Sequence, residues 1–166
     1  NGPVTIANIN CPGQIVISGK KEHLMQAINA LKEKGAKVIS LPVSGAFHSP
    51  LMKKAQIELK SNINSFSFSN AKYPIILNRT GQPESNATQL KENISQQVTS
   101  SVQWIKSIEY MSTQCNLIIE CGNGKVLSGL IKKINPSIPI HAISNLDSIQ
   151  TLTNTLLTKE GINNGN

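Results

Sequence analysis

One histidine in this chain stands where a catalytic base could stand. In Leu41-Pro-Val-Ser-Gly-Ala-Phe-His48-Ser-Pro-Leu-Met52 a strand-like apolar run ends in Ser44-Gly45, and His48 follows in the loop. Ser49 and Pro50 then read as the N-cap and first residue of a helix. An imidazole at a strand-to-helix junction suits general acid–base work, because its pKa lies near working pH. The same residue types would also describe a helix-start histidine satisfied by local backbone. The nucleophile that such a base would serve has no obvious place here, since the 166 residues contain no Gly-x-Ser-x-Gly.

The other reactive side chains offer less. Cys11, Cys115 and Cys121 form no Cys-x-x-Cys pair, and their odd number argues against a disulfide framework; a reducing, cytoplasmic setting is expected. His23 and His141 have no Cys, Asp or Glu at metal-ligand spacing, so no metal site is expected. Gly122-Asn-Gly124-Lys125 is a helix-opening glycine turn without the residue spacing of a phosphate loop. The formal net charge is +7, and of the 16 Lys and Arg only Arg79 is an arginine. With few aromatics as well, this surface is a poor nucleic-acid reader. It suits diffuse attraction to an acidic protein or a phosphorylated ligand. The apolar runs are far too short to span a bilayer, and the N-terminus, though abrupt, carries no signal-peptide pattern.

The elements that must position His48 follow from periodicity. Val4 to Asn8 and Gln14 to Ser18 read as strands around a Pro12-Gly13 turn. His23 to Lys34 is an amphipathic helix with Leu24, Ile28 and Leu31 on one face, closed by Gly35. Lys37 to Val43 is a third strand. Leu51 to Ile63 is a helix with Leu51, Ala55, Ile57, Leu59 and Ile63 facing inward. Tyr73 to Leu77 is a short buried strand, followed by a turn at Gly81-Gln-Pro83. Helices are predicted over Thr88 to Val98, Val102 to Met111, Lys125 to Ile134 and Leu146 to Lys159. Strands are predicted over Leu117 to Cys121 and Ile138 to Ile143, and Gly161 to Asn166 should be a loose tail. Strands alternating with helices imply an α/β fold. The first portion differs from the later units and suggests a small subdomain, with a boundary near Leu41 to Ser49.

Four stretches carry a resemblance. Asn8-Ile-Asn-Cys-Pro-Gly-Gln-Ile-Val-Ile-Ser-Gly19, Leu41 to Met52, Val102-Gln-Trp104 and Glu120-Cys-Gly-Asn-Gly-Lys-Val-Leu-Ser-Gly-Leu130 resemble the malonyl-CoA:acyl carrier protein transacylases. The likeness runs in order from about Val4 to Lys159. It implies part of an α/β-hydrolase-like parallel-sheet domain plus most of an inserted ferredoxin-like subdomain. Residues 1–43 would be the remainder of that subdomain, 44–160 the C-terminal part of the large acyltransferase domain, and 161–166 a loose tail. It further implies malonyl transfer from coenzyme A to the phosphopantetheine thiol of acyl carrier protein through a seryl ester. The serine elbow and the malonate-binding arginine precede the matched part in the family, so the chain is expected to be the C-terminal half. No metal or organic cofactor is implied; the coenzyme A thioester is a substrate. The partners implied are malonyl-CoA, acyl carrier protein and the missing N-terminal half, with no nucleic acid and no membrane.

The resemblance assigns residues. His48 falls on the catalytic histidine. Gln97 falls where a backbone carbonyl accepts from that ring, with Gln96 one residue away. Phe47 falls in the Gly45-Ala-Phe-His48 stretch beside the acyl group, where a bulky ring would crowd a methyl branch and select malonyl. Asn10 and Gln14 match polar positions lining the acyl pocket. Arg79 lies in Leu77-Asn-Arg-Thr-Gly81, a strand-end turn and not the malonate clamp. Lys32, Lys34, Lys53 and Lys54 are candidates for a carrier-protein surface, or simply solvated helix faces. Rival readings are the acyltransferase domain of a polyketide synthase and a non-catalytic carrier-protein-binding module.

Overall fold

Pro12 and Gly13 reverse the chain between β1 (Val4–Cys11) and β2 (Gln14–Gly19), which pair antiparallel. Proline fixes the first corner and Gly13 supplies φ +77°, the positive φ that a type II turn needs at its second corner. The computed structural model describes the backbone of residues 4–163 and side chains as far as Leu157. The pairing register slips twice, between Ile6 and Asn8 and between Ile9 and Cys11. Ala7 and Asn10 are therefore extra residues on β1, bulges of the kind that re-aim side chains. The other edge of β1 bonds to the backbone of Val102: Ile9 N–H donates to its carbonyl at 3.0 Å, and its N–H donates to Ala7 at 2.8 Å.

Helix α1 (Lys21–Glu33) packs on this hairpin through the half-buried Leu24, Ala27 and Ile28. Gly35, at φ +79°, ends it. Ala36 N–H returns to the Leu31 carbonyl and Gly35 N–H to that of Lys32, a Schellman cap. The strand predicted over Lys37 to Val43 is not formed. It has no ladder partner among the described residues, and Ile39, Leu41 and Val43 are exposed. A strand needs its main-chain groups paired, whatever its side chains favour.

A 3-10 turn (Pro50–Met52) leads into α2 (Lys53–Asn64). Ala55, Leu59 and Ile63 turn inward, a stripe at spacing four, whereas Leu51 and Ile57 are exposed. β3 (Ile75–Ile76) and β4 (Pro83–Glu84) make a small antiparallel pair, and Ile75 is half exposed where a buried strand was expected. Helix α3 (Ala87–Gln96) packs against α2 and passes into a 3-10 turn at Gln97–Thr99. Helix α4 (Trp104–Gln114) follows.

β5 (Ile118–Cys121) and β6 (Ile140–Ile143) pair in parallel, with α5 (Val126–Ile134) as the crossover and α6 (Leu146–Asn163) after them. The backbone of Gly161 to Asn163 continues α6, so only residues 164–166 of the expected tail lie outside the described residues. The chain forms two compact units divided between Tyr110 and Met111. Ala7, Cys11, Ile63, Leu90, Val102 and Ile108 are buried in the first; Ile131, Ile138 and Leu152 are buried in the second. Parallel and antiparallel pairs with intervening helices make this an α/β protein.

Candidate active site

His48 takes the left-handed conformation, φ +60°, and is the only non-glycine among the described residues to do so. Histidine is among the side chains that tolerate this region, at a cost of about 1 kcal/mol. Its neighbours hold it there. His48 N–H donates to the Val98 carbonyl at 2.9 Å. Ser49, 1% exposed, donates its hydroxyl to the Ala46 carbonyl at 2.6 Å and accepts from Leu51 N–H at 3.3 Å. Pro50 then occupies the first helical position, so the expected cap is formed, on a 3-10 turn that leads into α2.

The ring is held from a second element. Asn86 caps the start of α3 by accepting from Thr88 and Gln89 N–H. At its far end, the 3-10 turn presents two carbonyls to the ring: His48 Nδ1 lies 3.0 Å from the Gln97 oxygen and 3.1 Å from the Ser100 oxygen. A carbonyl oxygen can only accept, so Nδ1 carries the proton and Nε2 keeps its lone pair. This arrangement orients the ring through main-chain acceptors. The Gln96 carbonyl instead receives the Thr99 and Ser100 hydroxyls, which distinguishes it from Gln97. Sequence reasoning missed Ser100, because a main-chain acceptor leaves no side-chain signature.

Phe47 lies directly before His48 and is 48% exposed. Its ring covers Gly45, where an added Cβ would come within 3.1 Å of Cε2. Asn10 sits half buried in the second bulge of β1. Gln14, at the start of β2, accepts from the Cys11 thiol at 3.7 Å. Among the described residues no hydrogen bond joins Asn10 or Gln14 to His48. Their hairpin is nevertheless tied to the ring's support, because Ser101 donates its hydroxyl to the Ile6 carbonyl and Val102 bonds to β1. The structure thus brings His48, Gln97 and Ser100 together, sets Phe47 beside them, and keeps Asn10 and Gln14 at the hairpin tip.

Other polar clusters have structural partners. Glu120, at the end of β5, accepts from Leu127 N–H at 3.0 Å and from Ser128 N–H at 2.8 Å, as well as from the Ser128 hydroxyl. These bonds, the Ser128 hydroxyl foremost, hold its carboxyl below the usual range. The amides a phosphate would need at the start of α5 are therefore taken by a side chain. Arg79 donates through Nε to the buried Asn93 at 2.9 Å. Lys60 bonds Glu92 at 3.0 Å, and that bond leads the causes lowering the Glu92 pKa, ahead of the Gln96 amide. Among the described residues no group of three or more His, Cys, Asp or Glu could hold a metal ion. No described helix is long and apolar enough to cross a membrane.

The sequence pattern of the family described as "Acyl transferase domain" matches residues 2–121. The malonyl CoA-acyl carrier protein transacylase of Staphylococcus aureus (strain COL) is 44% identical over 146 residues, 87% of this chain and 47% of its own length. The crystal structure of the malonyl CoA-acyl carrier protein transacylase from Clostridium perfringens superposes with a TM-score of 0.93 at 33% identity, covering 99% of this chain and 52% of that one. A malonyl-transacylase in complex with its type II PKS acyl-carrier protein gives a TM-score of 0.85 at 32% identity, over 89% of this chain and 48% of that one. The chain spans about half the length of the relatives it matches. His48 and the carbonyls that hold its ring lie inside the matched span, and this chain belongs to the acyl transferase domain family.

Proposed function

We propose that this chain supplies the base half of a malonyl-CoA:acyl carrier protein transacylase site. The observation that carries the reading is His48 Nδ1–H held between the Gln97 and Ser100 carbonyls. In the reaction, Nε2 takes the proton of a serine hydroxyl as its oxygen attacks the malonyl thioester. Coenzyme A leaves as a thiolate and receives that proton from His48. The phosphopantetheine thiol of acyl carrier protein then gives its proton to Nε2 while its sulfur attacks the seryl ester. The serine oxygen leaves and takes the proton back. Covalent catalysis divides one transfer into two easier ones. Both thioesters are already activated acyl groups, so the chemistry needs no metal or organic cofactor.

Gln97 acts through its carbonyl, Phe47 is the wall that selects malonyl, and Asn10 and Gln14 line the acyl side. The serine, oxyanion donors and malonate-binding arginine belong to a polypeptide segment outside these 166 residues, the N-terminal half of the same enzyme. Residues 1–43 belong to a ferredoxin-like subdomain and 44–160 to an α/β-hydrolase-like domain, in a cytoplasmic enzyme. Coverage of about half of each relative supports this reading. So do the exposed apolar residues Ile39, Leu41 and Val43, which a further packed element would cover.

The test is malonyl transfer by the complete enzyme. His48→Ala should lower the rate by roughly 10²–10⁴-fold, the worth of a general base. Gln97→Ala keeps its carbonyl and should retain substantial activity. Equal losses in the two variants would contradict the backbone role. The 166-residue chain assayed alone should transfer nothing, and turnover by it would place the nucleophile within this sequence.

A further inference from the structure

The two carbonyls that hold His48 sit at the ends of a short turn, which the Ser100 hydroxyl ties back to the Gln96 carbonyl at 3.0 Å. Gln97–Thr99 is a three-residue 3-10 turn with no side-chain cap, and Ser100 N–H reaches the Gln97 carbonyl only at 3.3 Å. Such turns have poor hydrogen-bond geometry. Yet the Gln97 and Ser100 oxygens must face one proton. The Thr99 hydroxyl lies 3.1 Å from the Gln96 carbonyl and 3.3 Å from Gln56 Oε1 on α2, sharing its proton between them. Lys53 Nζ lies 3.0 Å from the same Gln56 oxygen. That ammonium fixes which end of the amide faces it, and so presents the oxygen to Thr99.

The connections form a ring. His48 runs through Ser49 and Pro50 into α2, Gln56 on α2 reaches Thr99, and the turn around Thr99 returns to His48 Nδ1. We infer that Gln56 and Thr99 are positioning residues that hold both carbonyls on the His48 Nδ1 proton, and thereby fix Nε2 as the basic nitrogen. This rests on His48 being the base, but its readout is the position of the ring proton and not transfer.

The experiment is a long-range nitrogen–proton correlation spectrum of the complete enzyme labelled with ¹⁵N-histidine. His48 is assigned by the signal missing from His48→Gln. The unaltered enzyme should show the Nδ1–H tautomer. Thr99→Val and Gln56→Met should each shift the tautomer ratio toward Nε2–H by roughly twofold to tenfold, the worth of one net hydrogen bond. Thr99→Ser should restore it. An unchanged ratio in both variants overturns the inference, as does Thr99→Ser behaving like Thr99→Val. Loss of the folded far-UV spectrum in both variants also overturns it, since it would assign these residues to folding. Malonyl transfer by the complete enzyme judges the base role separately.

Discussion

A carbonyl pair at Nδ1 does less for a histidine than a carboxylate would. It fixes the tautomer but adds no full negative charge to favour the imidazolium. On the proposed reading the ring takes a proton from the serine hydroxyl in one step and from the carrier's thiol in the next, and a fixed Nδ1–H tautomer keeps Nε2 available for both. On the same reading, the residue beside His48 governs which acyl group is accepted. Phe47 packs its ring over Gly45, where an added Cβ would meet Cε2 at 3.1 Å and the ring would have to give slightly. In the complete enzyme, Phe47→Ser should admit methylmalonyl-CoA and narrow the preference for malonyl by about 10–100-fold, the range one methyl commands in a pocket. Competition between the two thioesters measures this, and an unchanged ratio would remove Phe47 from the acyl wall.

At the scale of elements, two helix starts each depend on one side chain. Ser49 donates to Ala46 and caps the turn before α2 while wholly buried. Ser49→Ala should cost about 1–2 kcal/mol by denaturant unfolding, because it orphans an amide and a carbonyl. A change near zero would mean that water replaces the hydroxyl. The start of α5 depends on Glu120, which reaches forward from β5 to two helix amides. Its carboxyl titrates below the usual range in the folded chain. Its contribution is therefore full at neutral pH and is lost as pH falls through the folded-state titration. Glu120→Gln should lower Tm at pH 7 and flatten the acid side of the stability profile. Parallel profiles for the two proteins would argue against the cap. The Ser49-Pro50 cap was legible in sequence because cap chemistry is local. Glu120 was not, because its partners lie in the next helix and only the fold brings them to it.

Over the whole molecule, the net charge of +7 matters for encounter and not for architecture. Lys53 and Lys54 stand exposed at the head of α2, close in sequence to His48, and Lys32 and Lys34 at the end of α1. With an acidic carrier protein, the complete enzyme's KM for that partner should rise between about 0.05 and 0.5 M salt while kcat stays level, as screening removes steering. A flat KM would leave these lysines as solvated helix faces. The α/β alternation, the Pro12-Gly13 turn, the Gly35 stop and the Ser49-Pro50 cap after His48 were all readable from the chain, since each rests on neighbours within a few residues; the strand expected before His48 was not. Tertiary structure decided what lies between distant segments. It brought the His48 ring to the Gln97 and Ser100 carbonyls, joined Val102 to β1, and linked Gln56 to Thr99. It also left Lys37 to Val43 without a strand partner among the described residues. Side-chain pattern records what a segment prefers, whereas a hydrogen bond between segments exists only once the fold has set its two ends within reach.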